Sequence, residues 1–114
     1  MPGWIIDTTY IDVWLNQLDG FEYDSVLAAL EYLEEMGPLA KRPFVDTLHH
    51  TKVANLKELR PRGTTIRIIF AFDVERRAVT LVAGDKSGQW KKWYKKNIPL
   101  AEERFFEYLK KKGR

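Results

Sequence analysis

The sequence predicts an α+β domain with a small antiparallel sheet, two N-terminal helices and a C-terminal helical segment. Three observations indicate this fold class. The chain has 114 residues, which suits a single domain over 1–114. Apolar side chains recur with helical spacing in the first forty residues and again from Gln89 onward, but with a period of two between residues 55 and 84. Helices on both sides of consecutive short strands are typical of α+β proteins.

The first forty residues predict a short strand and two helices. The apolar residues 4–6 can open a sheet, and helical spacing follows up to Asp19-Gly20, in Ile11, Trp14, Leu15 and Leu18. Asp24 is the predicted N-cap of the second helix, and Gly37-Pro38 is its predicted end. This helix is expected to bury Val26, Leu30 and Leu33.

Three strands are predicted after the polar, proline-containing stretch around residues 37–54. The first covers residues 55–60, with Leu56 and Leu59 on opposite faces, and a turn at residues 61–63 follows it. The second covers residues 66–73; one face carries Ile66, Ile68, Phe70 and Phe72, and the other carries Arg67, Ile69 and Ala71. The third covers residues 78–84, and the short connections predict antiparallel pairing.

The C-terminal part predicts helical structure in two pieces. Helical spacing returns from Gln89, and a last helix is expected to follow residues 97–99. That helix would bury Ala101, Phe105 and Leu109.

Charge is divided unevenly along the chain. Residues 1–40 contain eight acids and neither Lys nor Arg, whereas residues 41–114 contain all 19 bases and the other eight acids. The two parts therefore carry −8 and +11, which together give the net charge of +3. Such a division predicts an acidic face and a basic face, and the basic face suits a polyanionic partner.

Residue types exclude several classes of site. The chain has no cysteine, which excludes disulfides, thiolate metal sites and cysteine nucleophiles. His49 and His50 are adjacent and point in different directions, so we expect loop residues, no metal and no cofactor. No apolar run approaches the roughly 20 residues of a membrane helix, and residues 1–4 lack the pattern of a signal peptide. We expect a cytoplasmic protein with no membrane partner.

A segment rich in lysines and aromatic residues follows the third strand. In a helix, Trp90, Trp93 and Tyr94 share one face, and the remaining surface carries Lys91, Lys92, Lys95 and Lys96. We expect the two tryptophans to face the core. The lysines either form a solvated surface or bind an RNA phosphate backbone that passes close to Tyr94.

Arg67 is unusual because its neighbours in the predicted strand are apolar. A guanidinium near a core costs several kcal/mol unless it is paired or hydrogen-bonded. Either Arg67 pairs with a carboxylate such as Glu58, or it points from an open sheet face toward a phosphate. In the second case Arg60, Lys86 and Lys57 would complete a cationic pocket.

Such a pocket suits metal-independent cleavage of RNA. The 2′-OH attacks the adjacent phosphorus, so the site needs a base for that hydroxyl, cations for the extra negative charge and an acid for the leaving 5′-oxygen. Lysine, arginine and tyrosine can divide these roles if neighbours shift their pKa values. A histidine, His49 or His50, is the alternative proton carrier.

Four segments resemble the phage-derived, HigB-like branch of the RelE/ParE toxin superfamily: residues 55–60, 66–73, 84–94 and 98–101. The resemblance covers roughly residues 44–110. It implies the toxin of a bacterial type II toxin–antitoxin system, with the ribosome, mRNA and a cognate helix-turn-helix antitoxin as partners. Relatives cut mRNA on the ribosome, so the implied activity is that of a ribosome-dependent mRNA endonuclease.

The resemblance places the family's basic site on Arg60, Arg67 and Lys86, with Tyr94 as a further match. Lys57, His50 and Tyr94 are the candidates for proton transfer. Residues 109–114 depart from the many relatives that carry a catalytic tyrosine or histidine at this end, which leaves the general acid and base open. The superfamily also contains gyrase-poisoning members without nuclease activity, and a non-catalytic basic nucleic-acid-binding module is a third alternative.

Overall fold

Five strands form one sheet between two helical layers, which confirms the predicted α+β class. The computed structural model describes residues 3–114; residues 1 and 2, on which the expected absence of a signal peptide partly rests, lie outside this range. The strands are β1 (Ile5–Asp7), β2 (Val45–Thr47), β3 (Lys57–Leu59), β4 (Ile66–Asp73) and β5 (Arg77–Asp85). The helices are α1 (Asp12–Leu15), α2 (Gly20–Met36) and α3 (Trp90–Lys111), and 3-10 turns cover Thr9–Ile11 and Gly37–Leu39.

The sheet has the strand order β1-β5-β4-β3-β2. The four strands from β5 to β2 pair antiparallel, as predicted for the three central ones, and β1 pairs parallel with β5 at the opposite edge. The strand β2 lies inside the polar stretch around residues 37–54 and was not predicted. Three residues are too few to establish a period of two, so β2 becomes recognisable only through its pairing with β3.

Two hydrophobic cores lie on opposite faces of the sheet. On one face, Ile66, Ile68 and Phe70 of β4 pack with the buried side of α2. On the other face, Ile69 and Ala71 pack with α3. The predicted alternation in β4 is confirmed, and so is the assignment of Leu56 and Leu59 to opposite faces.

The uneven charge of the sequence becomes a difference between these two faces. The helix α2 carries five acids and no Lys or Arg, whereas α3 carries seven bases against three acids. Because the two helices cover opposite sides of the sheet, the acidic and basic surfaces are separated by the full thickness of the domain.

The N-terminal helices differ from the prediction in their limits. The first one is reduced to a 3-10 turn and the four residues of α1, although Ile11 is buried as expected. The prediction of Asp24 as an N-cap is wrong, because α2 begins at Gly20 and Asp19 precedes it with an extended backbone. Asp19 and Glu22 place negative charge at the start of this helix, where its dipole favours it. The predicted end is confirmed, since Gly37 follows α2 with φ of +53°.

The C-terminal region is one continuous helix, so the predicted division at residues 97–99 is wrong. Pro99 lies inside α3 and has no N–H to donate to the carbonyl four residues earlier. The helix continues because side chains on both sides of the proline, including Trp93, Ile98, Ala101 and Phe105, pack on the same core.

The turn between β4 and β5 is attached to the end of α3 through Asp73. This carboxylate is only 5% exposed, and it accepts a hydrogen bond of 2.7 Å from the Tyr108 hydroxyl and others from the Arg114 guanidinium. Burial alone would raise the pKa of Asp73, but these hydrogen bonds outweigh it and lower the pKa below the ordinary value. Burial and the bond to Asp73 raise the pKa of Tyr108 to about 12.

We expect the stability of the protein to depend on Asp73 at acidic pH. Because folding lowers its pKa, the carboxylate stabilises the fold above the unfolded pKa of about 3.9, and this contribution is lost as the pH falls through the lower folded value. Asp73→Asn should reduce the free energy of unfolding by about 1–3 kcal/mol at neutral pH and weaken its decline in acid. Urea denaturation across pH measures both effects.

Glu75→Gln is the matched control for this experiment. Glu75 also contacts Arg114, at 3.1 Å, but it is exposed, so the substitution should change stability by less than about 1 kcal/mol. An Asp73→Asn variant with the wild-type acid dependence would contradict the assigned role.

Candidate active site

A cleft of about 450 Å³ lies between the first half of α3 and the β2–β3 edge of the sheet. Three of the predicted site residues meet there from separate parts of the chain: Arg60 follows β3, Lys86 follows β5, and Tyr94 lies on α3. The helix contributes Trp90, Tyr94 and Ile98, which are four residues apart and therefore lie on one face of α3. The complete lining is Asp46, Thr47, Leu48, His49, Glu58, Arg60, Lys86, Trp90, Tyr94 and Ile98.

A larger groove of about 640 Å³ beside α2 is less suited to a polyanion. Its lining is mostly apolar, with Phe21, Tyr32 and Phe44, and its charged residues are Asp24 and Arg62. The cleft beside α3 is therefore the candidate site, because it is lined by cationic and hydrogen-bonding side chains, although the groove beside α2 is larger.

Glu58 is at the centre of the cleft and is only 2% exposed. Its Oε1 accepts a hydrogen bond of 2.5 Å from the Tyr94 hydroxyl, and its Oε2 accepts bonds from Arg60 Nη2 at 2.8 Å and Nε at 3.1 Å. Arg60 Nη2 also lies 3.2 Å from Asp46 Oδ2. This hydrogen-bonded group joins β2, β3 and α3 in one network.

Burial and Glu58 together act on the pKa values of Tyr94 and Arg60. Burial, together with the hydrogen bond and negative charge of Glu58, raises the pKa of Tyr94 well above its usual range, so the phenol keeps its proton. Burial opposes the charge on Arg60, but Glu58 and Asp46 outweigh that effect and raise the pKa of Arg60. The cleft thus holds a neutral phenol and a permanently charged guanidinium in fixed positions.

Of the two alternatives for Arg67, pairing with Glu58 is wrong, because that carboxylate is hydrogen-bonded to Arg60 and Tyr94. Arg67 Nη1 instead donates to the carbonyl oxygen of Ile66 at 2.7 Å. Its Nε is buried and has no hydrogen-bond partner within residues 3–114. Arg67 is nevertheless next to the network, since its positive charge opposes the rise in the pKa of Tyr94. Its direction toward a phosphate stays a prediction.

Two proposed proton carriers lie away from the cleft. Lys57 alternates with Glu58 and so extends from the opposite side of β3, where its Nζ donates to Thr47 Oγ1 at 2.9 Å. His50 is exposed and has a φ of +61°, and its neighbour His49 lines the cleft instead. A pair of adjacent histidines in an irregular segment gives no sequence signal that distinguishes one from the other.

The loop that presents Lys86 is held by Asp85. Its Oδ1 accepts hydrogen bonds from the Thr65 hydroxyl at 2.5 Å and the Ser87 N–H at 2.8 Å, which lower the pKa of Asp85. The Lys86 N–H in turn donates to the Thr65 carbonyl at 3.1 Å. These contacts fix the backbone of Lys86 relative to the start of β4.

The two tryptophans of α3 have different environments. Trp93 packs on the core as predicted, over Gly84, where an added Cβ would lie 2.8 Å from the indole Nε1. The prediction for Trp90 is wrong, because its side chain is 54% exposed. Trp90 is the first residue of α3, and unlike Trp93 it does not pack against the hydrophobic core.

The four lysines of this segment are exposed, in rows of residues four apart: Lys91 with Lys95, and Lys92 with Lys96. Lys92 and Lys96 also line a second cavity of about 590 Å³, which is polar and shares no lining residue with the cleft. Their contact with an RNA backbone stays a prediction.

Within residues 3–114, the His, Asp and Glu side chains form no group of three that could hold a metal ion. Over the same residues, no helix has the length and apolar character needed to cross a membrane.

Comparison with known proteins identifies the family. The sequence profile described as phage derived protein Gp49-like (DUF891) matches residues 13–106. The chain belongs to this Gp49-like family. Two relatives from Mycobacterium tuberculosis are each 46% identical to it: "Putative toxin HigB2" over 110 residues, and "Putative toxin HigB3" over 99 residues.

The two relatives differ in how much of their length is matched. The alignment covers 94% of the chain but 55% of HigB2, so the chain spans about half the length of that relative, whereas it covers 87% of both the chain and HigB3. The predicted resemblance to the phage-derived, HigB-like branch is confirmed. All the residues that line the cleft of this Gp49-like protein lie inside the segment matched by the family profile.

Replacing Glu58 should change the ionisation of Tyr94. In Glu58→Gln the negative charge is absent, so the pKa of Tyr94 should fall toward the ordinary value of about 10. An alkaline titration followed by phenolate absorbance should show one tyrosine that ionises at lower pH than in the wild type. The same titration of a Glu58→Gln/Tyr94→Phe double variant assigns the added signal to Tyr94. Titration curves that do not differ between wild type and Glu58→Gln would contradict the network.

Proposed function

We propose that this Gp49-like protein is the toxin of a bacterial type II toxin–antitoxin system and a metal-independent, ribosome-dependent mRNA endonuclease. The observation that carries the proposal is the meeting of Arg60, Lys86 and Tyr94 in one cleft beside Arg67. The family supports the role as a toxin, since two relatives, each 46% identical to this chain, are each named as a "Putative toxin".

The proposed reaction is an intramolecular transesterification of RNA. The 2′-oxygen loses its proton and bonds to the adjacent phosphorus, and the bond from phosphorus to the 5′-oxygen breaks as that oxygen takes up a proton. Negative charge grows on the phosphoryl oxygens in the transition state, where fixed cations stabilise it most effectively. Arg60 and Lys86 line the cleft and would contact these oxygens, and Arg67 would add positive charge from the sheet.

The protons require a different group. Tyr94 stays protonated and donates a hydrogen bond to Glu58 Oε1, and Glu58 Oε2 accepts hydrogen bonds from Arg60, so we assign neither Tyr94 nor Glu58 as the base. His49 is exposed and lines the cleft, and a histidine side chain is the commonest proton carrier in enzymes. We therefore assign the removal of the 2′-hydroxyl proton to His49 in place of Lys57 and His50, which do not line the cleft, and the leaving 5′-oxygen takes its proton from water. Tyr94 acts as a positioning residue through Glu58 and Arg60.

The surrounding surface suits a longer RNA. Lys91, Lys92, Lys95 and Lys96 would neutralise phosphates outside the cleft and make binding sensitive to salt. The acidic surface of α2 lies on the far side of the sheet and would not contact RNA. The proposed partners are the ribosome, mRNA and a cognate helix-turn-helix antitoxin, which place the action of this single domain in the cytoplasm.

Substitutions in the cleft test the proposal. Lys86→Ala should reduce mRNA cleavage in a translating bacterial extract by about 10²-fold or more, because a fixed cation is lost from the transition state. Growth arrest on expression should disappear with it, and Lys86→Arg should recover part of both. Lys110→Ala removes an exposed lysine near the other end of α3 and should leave both unchanged.

Three experimental outcomes would contradict the proposed active site, the nuclease activity or the role as a toxin. Full cleavage by Lys86→Ala together with Arg60→Ala would exclude this cleft as the active site. Growth arrest with DNA damage and intact mRNA would indicate a gyrase-targeting toxin. Salt-sensitive RNA binding without any growth arrest would indicate a non-catalytic module.

A further inference from the structure

Trp90 has an exposed indole at the cleft, where the cationic residues meet. A single exposed apolar side chain needs no special explanation in most proteins. Trp90 differs because it lines the same cleft as Lys86 and Tyr94, and because the Lys91 ammonium lies 5.6 Å from its ring centroid. A large aromatic surface is thus combined with positive charge.

The backbone holds Trp90 at a fixed position relative to Lys86. The Gln89 N–H donates to the Lys86 carbonyl at 3.2 Å, and the Trp93 N–H donates to the Gln89 carbonyl at 2.8 Å. The Trp93 side chain then anchors the helix on the sheet over Gly84. The first turn of α3 is therefore held in place, and it positions the indole of Trp90 close to Lys86, which would bind the phosphate.

We propose that Trp90 is a stacking platform for one unpaired base of the RNA whose phosphate is bound by Arg60 and Lys86. This inference rests on the proposed function and adds a substrate contact to it. Every base has a π-face, so stacking on an indole strengthens binding without selecting a sequence, and the adjacent lysine supplies attraction to the backbone. An aromatic platform beside cations is how proteins hold single-stranded nucleic acid.

The test uses an RNA that cannot react. Bacterial ribosomes are programmed with an mRNA that carries 2′-O-methyl nucleotides in the decoding site, with or without a single abasic nucleotide, which is moved one position at a time. Wild-type protein should bind about 5- to 150-fold more weakly when one position is abasic, which is the range for loss of one base–aromatic stack. Trp90→Ala should bind both RNAs with equal, weaker affinity, and Trp90→Phe should keep part of the difference.

Phe106→Ala provides a matched control, because Phe106 is a 50% exposed aromatic residue of α3 that does not line the cleft. It should respond to the abasic nucleotide as the wild type does. A wild type that is insensitive to abasic nucleotides at every position, or that fails to bind, overturns the inference. So does a Trp90→Ala variant that keeps the full difference, which would leave this tryptophan as a contact for a protein partner.

Failure of the proposed function has a separate signature. If unmodified mRNA is not cut in a translating extract but the programmed ribosomes show the abasic effect at Trp90, the nuclease proposal fails and the stacking contact stands. If mRNA is cut and the abasic effect is absent, the nuclease proposal stands and the stacking contact fails.

Discussion

The buried carboxylate of Glu58 is the interaction on which the cleft depends. A carboxylate at 2% exposure costs several kcal/mol unless its oxygens are compensated. Tyr94 donates a hydrogen bond to one oxygen and Arg60 to the other. Loss of either partner would leave a buried carboxylate oxygen without a hydrogen bond and destabilise the fold. The first half of α3 is thereby held against β3 at a polar contact, in addition to the apolar core that it shares with the sheet.

The same contact determines which cations remain available to a ligand. Arg60 contacts two carboxylates, whereas Lys86 and Arg67 form no ion pair within residues 3–114. The cleft therefore combines Arg60, a cation fixed by its partners, with Lys86, whose charge has no paired carboxylate among the described residues, while Arg67 lies beside the network. The position of the acidic α2 on the opposite face keeps its carboxylates from neutralising them.

Strict periodicity explains what could be predicted from the sequence. In β4 the alternation over eight residues specifies both faces, since each of them is covered by a hydrophobic core. The strand β2 and the unbroken α3 could not be predicted in this way, because one is defined by its partner and the other by packing on both sides of Pro99. The partner of Glu58 is a different case: Arg60 is two residues further along the chain, directly after β3, so continued alternation would place it on the face of Glu58 and favours it over Arg67.

The two tryptophans of α3 show that helical spacing does not predict which residue of a shared face is buried and which is exposed at the cleft. Residues three apart on a helix share a face, so Trp90 and Trp93 have the same predicted environment. The spacing says nothing about where the sheet beneath that face ends. Trp93 lies over Gly84, within β5, and packs against the core, whereas Trp90 does not pack against it and stays exposed. The exposed tryptophan is the one that shares the cleft with Lys86, because the loop that presents this cation also leads into the first turn of α3. In this fold the margin of the core that α3 covers and the candidate site therefore coincide.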